Sequence, residues 1–243
     1  MTAPLIELRQ ISFAYAGSSR LLLDQADVTF DRSQRIGLIG PNGSGKTTLL
    51  HIIMGLRRPT GGSLLFKGRE ISSKEDFRLL RRSIGMVFQD SDDQLFSPTV
   101  LEDVAFGPLN LGLSKEEALH VSRRTLADLE LSRLEERITH QLSGGEKKLV
   151  SLATILSMQP EAMLLDEPTN NLDPATKNRL TAILKRLDIG YMIISHDWDF
   201  LAETCDVIYT MNSGKALRSG TECLHIHRHV HAWGDKPHEH ARC

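Results

Sequence analysis

Cysteine is scarce in this chain: three residues among 243, at positions 205, 223 and 243, an odd number with no CxxC pair. That excludes a disulfide scaffold and predicts reduced thiols. Aromatic residues make up only 5%, against 40% hydrophobic and 25% charged residues, a balance that fits neither collagen-like nor low-complexity chains and leaves enough apolar material for one substantial core. An excess of charge of one sign is lacking too. Lysine and arginine number 29 against 31 aspartates and glutamates, a net charge of −2, so no global basic field would hold a nucleic-acid backbone. No apolar run approaches the roughly 18 residues that cross a bilayer; the stretch from Leu49 to Leu56 is broken by His51 and Gly55. The first residues, Met1-Thr2-Ala3-Pro4-Leu5-Ile6-Glu7, lack the basic start and apolar core of a secretory signal, and a cytosolic chain is expected from them. With no internal repeat, one large domain, or one domain carrying a subdomain, is expected.

What is present is an alternation of strand and helix patterns. Ile6 and Leu8, then Ile11, Phe13 and Tyr15, read as a strand whose change of parity predicts a bulge near Gln10. Val28 to Phe30 and Leu64 to Phe66 read as further strands of the same N-terminal sheet. Arg35-Ile36-Gly37-Leu38-Ile39 is a short apolar run followed by a glycine loop and a helix from Lys46 to Met54. Between about 90 and 160 the pattern turns helical. Thr99 to Phe106 opens this stretch, Ser114 with Glu117 forms a capping box, and Leu119, Leu126 and Leu129 mark an apolar face. Met163-Leu164-Leu165 and Tyr191-Met192-Ile193-Ile194, separated by a helix from about Ala175 to Leu187, have the rhythm of a parallel sheet.

Three segments carry chemistry. Gly40-Pro41-Asn42-Gly43-Ser44-Gly45-Lys46-Thr47 fits the phosphate-loop pattern between a buried strand and a helix N-terminus, where backbone N–H groups and the helix dipole favour phosphate. Lys46 would reach the β and γ oxygens, and the Thr47 hydroxyl would ligate Mg2+. Met163-Leu164-Leu165-Asp166-Glu167 puts two carboxylates at the C-terminal end of an apolar strand: Asp166 for the Mg2+ shell, Glu167 to polarise an attacking water. Leu142-Ser143-Gly144-Gly145-Glu146 precedes a helix from about Lys147 to Met158 and offers a second set of bare backbone donors. Two such helix N-termini beside one phosphate loop predict that the second serves a nucleotide held mainly by a partner subunit.

Taken in order, these segments resemble the nucleotide-binding subunit of an ABC transporter over residues 5 to about 219: a Walker A loop at 40–47, an LSGGE signature at 142–146 and a Walker B strand at 163–167. The resemblance implies a three-layer α/β P-loop ATPase core with an N-terminal antiparallel β subdomain and a helical subdomain at about 90–160. It implies that Tyr15 stacks on adenine, that Thr48 belongs with the phosphate loop in binding ATP, and that Gln89 is the Q-loop residue and an Mg2+ ligand. It makes Glu167, His196 and Gln89 the catalytic set, with Asn170-Asn171-Leu172-Asp173 as the D-loop. Ser143, Gly144, Gly145, Glu146 and Asp173 would meet nucleotide across a dimer. Asp92-Asp93-Gln94-Leu95-Phe96 and Thr99 to Gly112 are similar, more narrowly, to the ATPases of energy-coupling factor importers and the related cobalt and nickel importers. There the region after the Q-loop docks a transmembrane component, which makes Leu95, Phe96, Val100 and Phe106 candidates for an apolar contact groove. Two departures stand out: Leu149 occupies a position where arginine is common, and Asn170-Asn171 replaces the usual small D-loop residues, as in ABC proteins that act on ribosomes.

Beyond Gly220 the composition shifts, with six of the ten histidines between His225 and His240. Residues i and i+2 of an extended segment share a face, so His225, His227, His229 and His231 could close on Ni2+, Co2+ or a similar ion. The whole reading is an ABC domain at 1–219 and a His-rich tail at 220–243. Its expected activity is ATP hydrolysis driving import of cobalt or nickel through separate transmembrane subunits. The expected place is the cytoplasmic face of the membrane, beside a second ATPase subunit, either a copy of this chain or a different one, and without nucleic acid. The same engine serving a vitamin or another solute, and a soluble ABC protein outside transport, are the competing readings.

Overall fold

Short apolar runs, each too brief for a helix and each ending in turn residues, become the strands of two sheets. The computed structural model describes residues 3–219. Its elements in chain order are β1 (Ile6–Phe13), β2 (Leu23–Phe30), β3 (Arg35–Ile39), α1 (Lys46–Ile53), β4 (Gly61–Phe66), β5 (Arg69–Glu70), α2 (Lys74–Ser83) and β6 (Ile84–Val87). A helical stretch follows, α3 (Val100–Asn110), α4 (Lys115–Asp128) and α5 (Gly144–Leu156). The chain then returns to alternation with β7 (Ala162–Asp166), α6 (Pro174–Arg186), β8 (Gly190–Ile194), α7 (Trp198–Thr204), β9 (Val207–Asn212) and β10 (Lys215–Ser219).

The first sheet is antiparallel in the order β2-β1-β4-β5. The parity change in β1 is real: Gln10 takes φ 50° and the register against β2 slips between Leu8 and Ile11. That slip returns Ile11 and Phe13 to the face already used by Ile6 and Leu8, and all four are buried. Strand β1 stops at Phe13, so Tyr15 lies beyond it and is exposed.

The second sheet has the order β10-β9-β3-β8-β7-β6, parallel throughout except for β10 against β9. Every residue of β6, β7 and β8 is buried, as expected of parallel strands covered on both faces. One apolar cluster joins the two sheets through Leu8, Phe30, Ile36, Leu50 and Met192; another joins the parallel sheet to α3, α4 and α5 through Val104, Leu126, Leu152, Leu165 and Tyr191. The predicted capping box at Ser114 and Glu117 forms, and Ser73, Thr99 and Ser143 start their helices in the same way.

The contact groove expected after Gln89 is narrower than the sequence suggested. Leu95 and Val100 are buried in the helical layer, whereas Phe96 and Phe106 are exposed and meet edge-on at 4.8 Å. Among the described residues no helix is long and apolar enough to cross a membrane.

Candidate nucleotide site

The parallel sheet explains why residues far apart in sequence meet. The phosphate loop leaves the C-terminal end of β3, Glu167 follows β7, His196 follows β8 and Gln89 follows β6. In an open parallel sheet that edge is where loops converge around a crevice.

Glycine is required at two points of the phosphate loop. Gly40 has φ 145°, and a Cβ there would stand 2.4 Å from the Met211 carbonyl oxygen; Gly45, the N-cap of α1, has φ 99°. These conformations turn the loop so that Lys46 begins the helix and folds back, its Nζ donating to the carbonyls of Gly40 at 2.8 Å and Pro41 at 3.2 Å. Burial pulls the Lys46 ammonium below its usual pKa, while Glu167 and Asp166 push it back up. The lysine is thus a desolvated cation facing acidic groups, poised for a polyanion.

Asp166 and Glu167 are both buried, and burial raises both carboxyls above their ordinary values. Around Asp166 the Thr47 hydroxyl, His51, Lys46 and Lys148 oppose that rise; around Glu167 His196 opposes it and Asp166 adds to it. Glu167 takes φ 45°, a conformation that costs a non-glycine residue energy and that turns its side chain off the strand. His196 Nε2 lies 3.3 Å from Glu167 Oε1. Asp166 Oδ1, Glu167 Oε2 and Ser44 Oγ are buried with no hydrogen-bond partner. Unpaired buried oxygens of this kind are costly alone and suit a hard divalent cation with phosphate oxygens. Among the described residues no group of three or more His, Cys, Asp or Glu gathers as a metal site. A cation here would therefore take one or two carboxylates and complete its shell with hydroxyl, amide and phosphate oxygens, the pattern that Mg2+ favours.

A cleft of about 410 Å³ is lined by Tyr15, the loop from Asn42 to Thr48, Gln89, Glu167, Asn170 and His196. A second of about 650 Å³ is lined by Thr47, His51, Gln89, Asp166, Asn170 and Asn171, among others. Gly40 and Pro41 stand at the loop's entry, and Pro41 lines an adjoining cleft with Tyr15. Tyr15 is held on three sides: its hydroxyl is 3.2 Å from Thr48 Oγ1, Phe13 meets it edge-on at 5.1 Å, and the Arg57 guanidinium sits 5.1 Å from its ring centre. A half-exposed aromatic so fixed can stack on a planar base.

Two residues at this site escaped the sequence reading. His51 lies one turn beyond Thr47 on α1, an i+4 spacing that could have flagged it. Arg57 reaches Tyr15 only through the fold.

The signature stands apart. Neither cleft is lined by Ser143, Gly144, Gly145 or Glu146. Ser143 caps α5, and the Glu146 carboxylate is engaged by Ser143 N at 3.1 Å and by Arg133 at 3.0 Å. A Cβ on Gly145 would meet Thr176 Oγ1 at 2.9 Å, so that glycine lets α5 lie against the start of α6. Asp173, expected on nucleotide, caps α6 by accepting from Ala175 N, Thr176 N and the Thr176 hydroxyl, the last at 2.6 Å. His225, His227, His229 and His231 lie outside the described residues.

Comparison with known proteins agrees with this geometry. The ABC transporter family model matches residues 23–170. A candidate ABC transporter ATP-binding protein of Nitratidesulfovibrio vulgaris is 52% identical over 237 residues, 98% of this chain and 86% of that one. The energy-coupling factor transporter ATP-binding protein EcfA of Methanoculleus marisnigri is 43% identical over 221 residues, 89% of this chain and 79% of that one. CbiO1 of Clostridium perfringens, part of the ABC transporter complex CbiONQ, superposes with a TM-score of 0.80 at 33% identity, covering 90% of each chain. A dimeric ATP-binding cassette in a post-hydrolysis state with ADP and Pi superposes with a TM-score of 0.80 at 26% identity, covering 89% of this chain and 98% of that one. With a phosphate loop, paired carboxylates and a detached signature on a fold shared with these cassettes, the chain belongs to the ABC transporter ATP-binding family, whose members hydrolyse ATP to power transport.

Proposed function

We propose that this chain is the ATPase of an importer of the energy-coupling factor type, working in pairs at the cytoplasmic face of the membrane beside separate transmembrane subunits, with cobalt or nickel as cargo. The observation that carries the ATPase mechanism is the convergence of Lys46, Thr47, Gln89, Asp166, Glu167 and His196 at the clefts while Ser143 stands elsewhere. A site lacking its signature needs a second chain, and the likeness to a dimeric cassette supports that pairing.

In this reading the phosphate loop from Gly40 to Thr47, with Thr48 behind it, wraps the nucleotide phosphates, and Lys46 exchanges its two loop carbonyls for phosphate oxygens. Tyr15 stacks on the base. Thr47, Gln89 and Asp166 hold Mg2+, which screens phosphate charge when bound. Glu167, whose burial raises its hold on a proton, accepts the proton of the attacking water, and His196 fixes its orientation from 3.3 Å. The partner's signature would close the nucleotide from the other side.

The likeness to EcfA and to CbiO1 supports the importer type, and the interleaved histidines from His225 to His240 support a transition-metal cargo. Imidazoles suit Ni2+ and Co2+ at neutral pH and release them as pH falls through roughly 6.5. Titration calorimetry of the full chain and of a chain lacking residues 221–243 tests this. About one or more Ni2+ or Co2+ should bind the full chain and none the shortened one, with ATPase activity largely unchanged. Equal metal uptake by both forms would remove the cargo assignment and leave a vitamin or other solute as the better reading.

A further inference from the structure

Strand β6 ends at Val87, and the carbonyls of the next two residues, Phe88 and Gln89, leave the parallel ladder. Backbone acceptors at such a place need donors. Here the donor is a lysine: Lys148 Nζ lies 3.1 Å from Phe88 O and 2.8 Å from Gln89 O, and the residue is 4% exposed. An ammonium is costly to bury, and desolvation pulls Lys148 below the usual lysine pKa while Asp90 and Asp166 hold it up. A methionine would fill the same space without that cost.

Lys148 sits on α5, the helix whose N-cap is Ser143. Two more ties bind the same segments. Lys147 Nζ reaches Asp92 Oδ1 at 2.6 Å. Gln94 accepts from Phe88 N at 3.2 Å and donates to Ser151 O at 2.7 Å and Thr154 Oγ1 at 2.8 Å. Residues 88–94 are therefore strapped to α5 at three levels, with Lys148 closest to the peptide that carries Gln89.

We propose that Lys148 is a positioning residue for hydrolysis: it locks the backbone of Gln89 to the helix that presents Ser143, so that the Gln89 amide and the signature move together. The inference rests on the reading of Gln89 as an Mg2+ ligand. It goes beyond that reading by assigning a buried lysine outside every nucleotide motif to the placing of that ligand. Lysine suits the task because its ammonium offers three donors, enough to serve two carbonyls at once.

A double-mutant cycle on the full chain tests it, with Gln89→Ala, Lys148→Met and both together. ATPase kcat, the Mg2+ concentration for half-maximal rate, ATP affinity and melting temperature are measured on each. Lys148→Met should lower kcat about tenfold and raise the Mg2+ requirement, with ATP affinity within about twofold of the parent. In the Gln89→Ala background it should cost almost nothing further, because the two residues act through one contact. Lys148→Arg, which keeps donors, should recover part of the rate, and Lys148→Gln takes the place of Lys148→Met if that variant does not fold. Unchanged kcat in Lys148→Met, or losses that multiply in the double variant, would overturn the proposal. Full activity in Gln89→Ala would overturn the Gln89 reading and this inference with it, whereas an impaired Gln89→Ala with multiplying losses would overturn this inference alone.

Discussion

Glu167 stands in a left-handed backbone conformation, mostly buried, with one oxygen unpaired and the other 3.3 Å from His196. If it takes the proton of water, Glu167→Gln should lower kcat by roughly 10² to 10⁴ while ATP and Mg2+ still bind, which stopped-flow turnover and nucleotide-binding assays would read. Near-normal turnover would move the base elsewhere. The same burial has a stability consequence with a definite sign. The folded carboxyl is raised above its ordinary 4.5, so the native state holds its proton longer than the unfolded chain does. Stability is therefore lost as pH rises through the window from 4.5 to the raised value, and the penalty is complete above it. Glu167→Gln should accordingly raise the urea midpoint of the nucleotide-free protein at pH 8 by more than at pH 4, where the carboxyl is mostly protonated in the unfolded chain as well as the folded one. An equal or reversed effect would mean that the carboxylate is compensated in the folded state. At this scale Lys46, Thr47, Asp166 and Glu167 were legible because each motif is contiguous in sequence. Arg57 and Lys148 were not, since each reaches the site only through tertiary packing, whereas His51 had only its i+4 spacing from Thr47 to mark it.

The elements were legible where burial dictates composition. The apolar runs of β3, β7 and β8 and the capping box of α4 are unambiguous in sequence because their side chains have one place to go. Helix α2 is harder to see there: it buries only Leu80, leaves Phe77 half-buried and Leu79 exposed, and is otherwise polar and charged. Strand β6 is four residues long and contains Gly85, where a Cβ would stand 2.0 Å from Ile155 Cγ2, so a strand pattern is broken to admit α5. Ser143 through Glu146 read as a loop before the helix, yet Gly144 already begins α5, because the capping box outweighs the low helix propensity of glycine. Glycine at the start of β8 is the firmest packing requirement. A Cβ on Gly190 would stand 2.6, 2.7 and 2.8 Å from the backbone oxygens of Arg32, Gln34 and Asp31, none of which can swing aside as a side chain would. Gly190→Ala should destabilise the protein by about 3 kcal/mol in urea titration, at the upper end for overpacking. A loss under about 0.5 kcal/mol would show that the turn into β8 relaxes freely.

At the scale of the whole molecule, the phosphate loop and the signature lie in one chain, but the signature lines neither of the clefts that the loop lines. Ser143 caps α5, and neither of the two clefts around the phosphate loop is lined by it. Two phosphate-grade helix N-termini beside one phosphate loop predict the pairing of chains, and the absence of Ser143 from both clefts is in keeping with it. Complementation between two defective chains tests this most directly. Lys46→Ala removes the phosphate-loop cation but keeps an intact signature; Ser143→Arg blocks the signature but keeps an intact phosphate loop. Each alone should be inactive, with Ser143→Arg still binding ATP. Mixed in equal amounts they should recover roughly one quarter of the parent activity, the share of sites that join two intact halves in a randomly paired two-fold dimer. Full turnover by Ser143→Arg alone, or a mixture that stays silent although both chains fold, would contradict a site shared between two copies of this chain.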